Sequence, residues 1–440
     1  MDYLKNTSYI FIPIKFDKII DFKPVIDKLN SSQIWTPVQM DIKYMLKYVA
    51  DKLNNKEKKA CQCFHYEVNE NIREKMGLAT KSEWYTTGEY PYKDTVEKFR
   101  FQILNVQLYC FSTSVCIMAF KIHLEKDDPL WVSTAQYYLK KVSREKIKLD
   151  KNEAIDFTFL EMSEKLVAEC ASVTALNFFY YANPTTERSN VFTYLEVDQR
   201  NSYKYELFYL RRCYSERYIF AKNYKLDSEE IYIPSNDIVW GISPEAAVCL
   251  ACPKKGHQEF IQNTFYNNFN VQYLFMYIIL LHQKYVLYMF LTKIGIGTYN
   301  DLEMLEEYRR QLYEFETDFV FSCVTEVPQY QNLYERMTTA FSLKKMYEDV
   351  HEPLISLSEM RHVTLENQRK KRDKNINNSL LLLSILSIFS AFTDSFDFVN
   401  SFLGLFFCDT VIKVVQILCI IIIVILSVFV MINFHKSNKN

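Results

Sequence analysis

The sequence predicts an α/β cytoplasmic domain, then a long stalk helix, then two C-terminal transmembrane helices. Three observations carry that architecture. Strand-like and helix-like apolar patterns are mixed through residues 1–299, while contiguous apolar sequence collects in residues 379–434. Between them, residues 300–378 contain no Gly and are rich in helix formers. No turn signal separates them from the first apolar run, and a short basic tail, 435–440, follows the second.

Composition narrows the function classes. The 52 Lys and Arg nearly balance the 53 Asp and Glu, so no overall basic field points to nucleic acid. Only 7 glycines occur, which argues against Gly-rich phosphate loops. The 11 cysteines are an odd number. The start MDYLKNTSYIFIPIKFD shows no charged segment followed by an apolar core, so no signal peptide is predicted. Reduced thiols and a cytosolic domain are therefore expected. No H-E-x-x-H, G-x-S-x-G, Walker A or G-x-G-x-x-G pattern occurs, and nothing in the sequence supports an enzyme.

Within 1–299, SYIFIPIKF reads as a strand. DIKYMLKYVADKLN reads as an amphipathic helix with Ile42, Met45, Leu46 and Val49 on one face. FRFQILNVQLYCF and VCIMAFKIHL, joined by Ser112-Thr113-Ser114, predict a hairpin, and ELFYL and IYIPS predict short strands. The run from Asn270 to Gly295 is apolar enough to suggest a membrane span. His282, Gln283 and Lys284 at its centre argue instead for a core helix packed on the sheet.

Candidate binding residues in this domain are few. CQCFHYE (Cys61, Cys63, His65) and CLACPKKGH (Cys249, Cys252, His257) could together furnish a tetrahedral zinc site. Equally, Cys249 and Cys252 close the apolar run AAVCLAC, where buried cysteines are common, and no metal site is expected. The segment from Trp240 to Glu245 reads as a turn leading into a helix, with Ser243 as N-cap. A tryptophan there could hold a purine and its phosphate, or the segment could be structural capping. Arg211 and Arg212 follow the strand-like ELFYL and could meet phosphate, or be ion-paired.

Residues 329–374 predict a long helix with a heptad-like seam of Leu343, Met346, Val350, Leu354, Leu357, Met360 and Thr364. Continued into the first apolar run it would form a rod of about 65 residues, roughly 100 Å. Pro353 should kink it or mark a junction, and Pro328 should separate it from an antiparallel helix over 300–327.

The first apolar run, 379–393, spans only about 22 Å as a helix, short of a ~30 Å hydrocarbon core. Its helix must extend toward Asn375 or past Phe398. The second, 414–432, is long enough by itself, and a buried helix of a soluble domain is the alternative for either. Arg369, Lys370, Lys371, Arg372 and Lys374 precede the first run, and His435, Lys436 and Lys439 follow the second. Between the runs stand Asp394, Asp397 and Asp409, with no Lys or Arg as far as Thr410. The positive-inside rule puts both termini in the cytoplasm and the acidic hairpin outside.

Asn377, Ser384, Ser387, Ala391 and Asp394 recur at helical spacing as one small and polar stripe. Such a stripe means tight helix packing or a wetted pore face. The second helix is apolar all round, as an outer, lipid-facing helix should be. One pore-side helix per subunit cannot enclose a channel, so the pore reading requires an oligomer. Asp394, Asp397 and Asn400 would then stand at its outer mouth, as a cation-attracting ring or as simply solvated groups.

Two C-terminal membrane helices, a long cytoplasmic helix continuing into the first, and a short basic tail resemble the CorA metal-ion transporter superfamily over residues 300–440. That resemblance implies a homopentamer with a funnel-like αβα cytoplasmic domain in a bacterial inner membrane, its first membrane helix lining the pore. The chain departs from the family in lacking Gly-Met-Asn after that helix. It has Thr393-Asp394-Ser395 and Phe398-Val399-Asn400 instead. In this it looks like the divergent CorA-type effectors of type III CRISPR systems. The implied ligand is a nucleotide messenger, a cyclic oligoadenylate or an S-adenosylmethionine–AMP conjugate, whose binding would cause antiviral ion leakage. A divalent-cation transporter with an altered filter is the alternative, and a membrane-tethered scaffold or enzyme is the third.

Overall fold

A computed structural model describes residues 3–16, 22–54, 61–78, 82–168, 176–178, 188–198, 203–219, 230–294 and 302–398, with scattered residues between 401 and 428. The chain divides into two compact units, Met1–Leu354 and Ile355–Asn440.

The first unit is built on a 13-stranded sheet. Its early strands are β1 (Asn6–Phe16), β2 (Trp35–Val38), β3 (Cys63–Val68) and β4 (Glu83–Thr86), and β5 (Tyr90–Tyr92) with β6 (Thr95–Glu97) forms a separate two-stranded ribbon. Then come the long β7 (Arg100–Phe111) and β8 (Val115–Leu124), followed by β9 (Lys146–Leu149), β10 (Asn152–Thr158) and β11 (Leu176–Phe178). β12 (Asn190–Glu196), β13 (Ile231–Ser235), β14 (Ile238–Ile242) and β15 (Ala246–Ala251) complete it. The main path runs β10-β9-β4-β7-β8-β1-β12-β15-β14-β13. Among the described residues, β12 with β15 is the one parallel pair. β7 and β8 form the hairpin that their alternating patterns predict, and Ser114 takes a left-handed φ of 71° in its turn. β7 is long enough to pair with β4 near Arg100 and with β3 from Gln107 onward. A register irregularity between Ile103 and Asn105 separates the two halves.

Helices cover both faces of this sheet. They are α1 (Phe22–Ser31), α2 (Lys47–Leu53), α3 (Glu70–Lys75), α4 (Pro129–Leu139), α5 (Phe159–Ala168) and α6 (Tyr203–Leu210). Later come α7 (Phe260–Lys293), α8 (Leu302–Phe319), α9 (Pro328–Ala340) and α10 (Leu343–Phe398). The two-residue period of β1 assigns the layers. Ile10, Ile12 and Ile14 join one core with Met118 and Phe120 of β8, Trp131 and Ala135 of α4 and Leu166 of α5. Burying each such side chain is worth about 1.5–3 kcal/mol.

The alternate residues of β1 face α7. Thr7 Oγ1 lies 2.7 Å from Tyr266 Oη, Tyr9 Oη donates to Asn270 Oδ1 at 2.7 Å, and the Phe11 ring sits 5.4 Å from that of Tyr277. Two strand residues advance about 6.7 Å and four helical residues about 6 Å, which keeps the first two contacts in step. Two π-helical stretches, Phe260–Phe265 and Phe269–Tyr273, widen the first half of α7. The second half is the apolar core helix, with His282, Gln283 and Lys284 all buried.

Three local expectations need correction. The helix expected over 41–54 forms only as α2, because tertiary bonds hold the residues before it in a bent, non-helical path. Gln272 Oε1 accepts from the backbone of Lys43 and Tyr44, and Leu46 N donates to Val324 O. ELFYL is helical within α6, where Leu207, Phe208, Tyr209 and Leu210 are buried; a five-residue apolar run does not separate strand from helix. The rod expected from 329 onward breaks at Phe341-Ser342, where Ser342 adopts a left-handed φ of 55°.

α10 then runs 56 residues, about 84 Å, with Pro353 inside it. The first unit ends at Leu354, directly after that proline. In the second unit the helix continues without interruption to Phe398, past the apolar run that alone was too short. The described residues between Thr410 and Val428 are helical as well.

Candidate functional site

The second unit presents the stripe. Asn377, Ser384, Ser387, Ala391 and Asp394 all lie on α10 and all are exposed. At about 100° per residue they cover an arc of about 100°. The serine hydroxyls are satisfied within the helix itself. Ser384 Oγ donates to Leu380 O and Ser387 Oγ to Leu383 O, each at 2.9 Å. Thus the two serine donors of the stripe are paired without any partner outside the helix, a requirement in any apolar surrounding. Asp397 is exposed too but falls about 60° beyond Asp394, off the stripe. Asn400 lies outside the described residues. Leu380 falls within the same arc, while Leu382, Leu383 and Leu386 lie outside it; all four are more than half exposed.

In the first unit a cavity of about 420 Å³ opens beyond the carboxyl ends of the parallel pair β12 and β15. Such crevices commonly receive ligands in α/β sheets. Its polar lining is mainly acidic: Asp127 and Asp128 before α4, Glu196 at the end of β12 and Asp198 just after it, and Glu206 on α6, with Lys5 as cation. Most of these groups have partners. Asp128 caps α4 by accepting from Trp131 N at 2.8 Å, and also accepts from Tyr92 Oη at 2.6 Å. Asp127 accepts from Asn6 Nδ2, Glu196 from Tyr3 Oη, and Asp198 pairs with Lys5 at 3.3 Å. Burial raises the pKa of Glu206, whose Oε2 finds no partner among the described residues. An acidic lining of this kind repels phosphate and suits a cation or a hydrogen-bond donor.

The residues expected to meet a nucleotide are engaged inside the fold. Arg211 is fully buried; its guanidinium pairs with Glu230 and donates to Ile242 O at 3.3 Å. Arg212 reaches the same carboxylate at 3.4 Å. Trp240 belongs to β14, not to a turn before a helix, and is buried against Phe192 and Tyr273. Ser243 is accordingly no helix cap. It makes the β14–β15 turn, accepting from Glu245 N at 3.1 Å and Ala246 N at 3.0 Å. Gly241 fits here because an added Cβ would stand 2.8 Å from Leu207 Cδ2 and 3.2 Å from Arg211 Cβ.

The two cysteine patterns are not brought together. Cys63 and His65 lie on β3 and Cys249 on β15, five strand spacings apart, or roughly 24 Å. Burial pushes the Cys63 and Cys249 thiols well above their ordinary pKa, which disfavours the thiolates that zinc requires. His65 stacks on Tyr109 at 4.3 Å, and His257 Nδ1 bonds Asp237 Oδ2 at 2.6 Å. No group of three or more metal-ligating side chains occurs among the described residues.

Sequence reasoning missed the acidic cavity altogether. Its lining comes from six separated segments, and no single one of them carries a motif. No family model, no curated protein and no solved structure matches the chain.

Proposed function

We propose that the chain is one subunit of an oligomeric membrane channel whose α/β domain controls the pore. One observation carries the reading. α10 exposes an apolar surface through Leu380, Leu382, Leu383 and Leu386, larger than isolated surface leucines, within the apolar run 379–393. From Ser379 to Phe398 the helix measures about 30 Å, enough to span. Basic residues precede this span and acidic ones end it, the asymmetry expected of a helix with its N-terminal end in the cytoplasm.

In this reading the stripe from Asn377 to Asp394, with Leu380 within its arc, faces the pore, and Leu382, Leu383 and Leu386 face lipid or neighbouring helices. Repeated around an axis, Asp394 makes a ring of carboxylates that draws cations to the outer mouth. Ligand binding to the α/β domain shifts the pore between closed and open states by its difference in affinity for the two. The resemblance implies an adenine-nucleotide messenger as that ligand and antiviral ion leakage as the outcome. Arg211, Arg212, Trp240 and Ser243 serve the packing of the domain, so the messenger's contacts lie elsewhere on it. Constitutive divalent-cation transport is the second reading, favoured by the acidic residues Asp394 and Asp397 at the outer end.

The test is ion flux through the purified protein in liposomes. A panel of cyclic oligoadenylates and an S-adenosylmethionine–AMP conjugate is supplied, and magnesium is varied separately. Flux that appears only with a nucleotide supports the gated channel. Flux that follows magnesium alone replaces it with transport, and no flux in any condition leaves the hairpin as a tether.

A further inference from the structure

We infer that Lys371, Arg372 and Lys374 form a docking surface for the headgroups of anionic lipids on the cytoplasmic side of the membrane. The inference rests on the membrane reading of α10 given above. Five basic residues, Arg369, Lys370, Lys371, Arg372 and Lys374, occupy six successive positions of that helix, and all five are exposed. They stand six to eleven residues before Leu380, roughly 9–16 Å along the axis. The headgroup layer adds only about 5–8 Å beyond the hydrocarbon, but long basic side chains extend toward it.

Helical geometry divides the five into two sets. Measured around the axis from the centre of the Asn377–Asp394 stripe, Arg369 lies within about 30° and Lys370 within about 70°. On the same side stand Glu366 and Asp373, and Lys370 Nζ pairs with Glu366 Oε1 at 3.1 Å. Two positive and two negative charges cancel there. Lys371, Arg372 and Lys374 lie about 90–170° from the stripe centre, and no carboxylate between 365 and 375 shares their side. The uncompensated charge is therefore three cations on the face turned away from the stripe. If the stripe faces the pore, that face meets lipid.

The charge pattern does two compatible things. Near the pore axis, where repeated like charges would repel one another and incoming cations, it is neutral. Facing the bilayer it is strongly positive, and each cation near an anionic surface is worth about a five-fold preference. Zwitterionic headgroups offer no such gain, and salt should weaken the preference.

The experiment uses the full chain, reconstituted in vesicles of equal phosphatidylglycerol and phosphatidylcholine and re-extracted in mild detergent. The lipid that stays bound is quantified by mass spectrometry. The expected result is at least five-fold enrichment of phosphatidylglycerol, reduced in 0.5 M salt and lost in the K371Q/R372Q/K374Q variant. The K344Q/K345Q variant, altered on the same helix about 50 Å from Leu380, should keep it. Equal retention of the two lipids by the wild type, or unchanged enrichment in the triple variant, overturns the inference while leaving the membrane reading intact. A full chain that stays dispersed without detergent and binds neither lipid overturns both.

Discussion

α7 and α10 both carry apolar stretches of nearly equal mean hydropathy and of sufficient length to cross a membrane, yet they end in opposite surroundings. The apolar window of α7 is 89% buried within its unit, and that of α10 is 0% buried. Their polar residues show why. At the centre of α7, His282 Nε2 lies 2.6 Å from Thr113 Oγ1, Gln283 Nε2 donates to Phe319 O at 2.6 Å, and Lys284 Nζ donates to Pro244 O at 3.0 Å. Each of those partners belongs to another element. On α10, Ser384 and Ser387 bond to carbonyls of their own helix. A helix whose polar atoms reach outward is addressed to a protein core, where partners wait. One whose polar atoms are satisfied internally can face lipid. Hydropathy is blind to this difference.

The coarsest way to break the comparison is truncation. A chain ending at residue 378 should remain soluble and folded without detergent, while the full chain should need detergent throughout purification. Size-exclusion chromatography of both, with and without detergent, checks this. Equal behaviour of the two would mean that the exposed leucines of α10 are covered by something other than lipid.

Next in size is a cavity in α7. Tyr277 is buried, its ring 4.7 Å from Phe192 and 5.6 Å from Phe341. Tyr277→Ala should cost about 3–5 kcal/mol in urea denaturation of the α/β unit. Leu383→Ala on α10 should change the same transition by less than about 0.5 kcal/mol.

pH separates the two helices as well. Burial lowers the pKa of Lys121, which faces α7 from β8, to about 7, and that of Lys284 to about 8. The unfolded chain keeps both protons to about pH 10.4. Between those limits the unfolded state binds more protons, so stability rises with pH, by roughly 1.4 kcal/mol per unit for each lysine past its folded pKa. The gain is absent below pH 7, where the charged lysines stay in the core. It is opposed from about pH 8.5, where unfolded cysteines ionise while burial holds the Cys63, Cys213 and Cys249 thiols protonated, and again near pH 10 by Tyr9, Tyr109 and Tyr277 for the same reason. Denaturation between pH 7.5 and 9.5 should show the wild type gaining roughly 2–3 kcal/mol on Lys121→Met, whose cysteine and tyrosine contributions are the same. Residues 375–393 of α10 include no titratable side chain and should contribute nothing to it.

What the sequence made legible follows the same division. β1, the β7–β8 hairpin and the core half of α7 were readable because a period of two, or a polar interruption in an apolar run, is local information. The roles of Arg211, Trp240 and Ser243 were not. They depend on Glu230, Phe192 and the backbone of β15, partners that only tertiary pairing supplies. Nor could six residues of helical pattern before Lys47 reveal that Gln272, more than 200 positions away, would hold them out of a helix. The stripe on α10 was readable because a single helix contains it. What the stripe faces belongs to neighbours that the sequence does not name.

The smallest expected effect sharpens the comparison most. Gln283→Ala removes a donor to the buried Phe319 carbonyl and should destabilise the α/β unit by about 1–3 kcal/mol, with no change in conductance that is not explained by lost protein. Ser384→Ala with Ser387→Ala should do the reverse. Both hydroxyls bond within their own helix, so removing them leaves no orphaned partner elsewhere, and unfolding of the α/β unit should shift by less than about 0.5 kcal/mol. If the stripe is wetted, single-channel conductance in planar bilayers should fall, because a polar surface that water and ions pass becomes apolar. If instead the stripe packs helix against helix, alanine is an equally small residue and conductance stays the same. Ser384→Leu then decides the matter, since a packed interface has no room for it and the oligomer should come apart, whereas a pore keeps its assembly and loses only current.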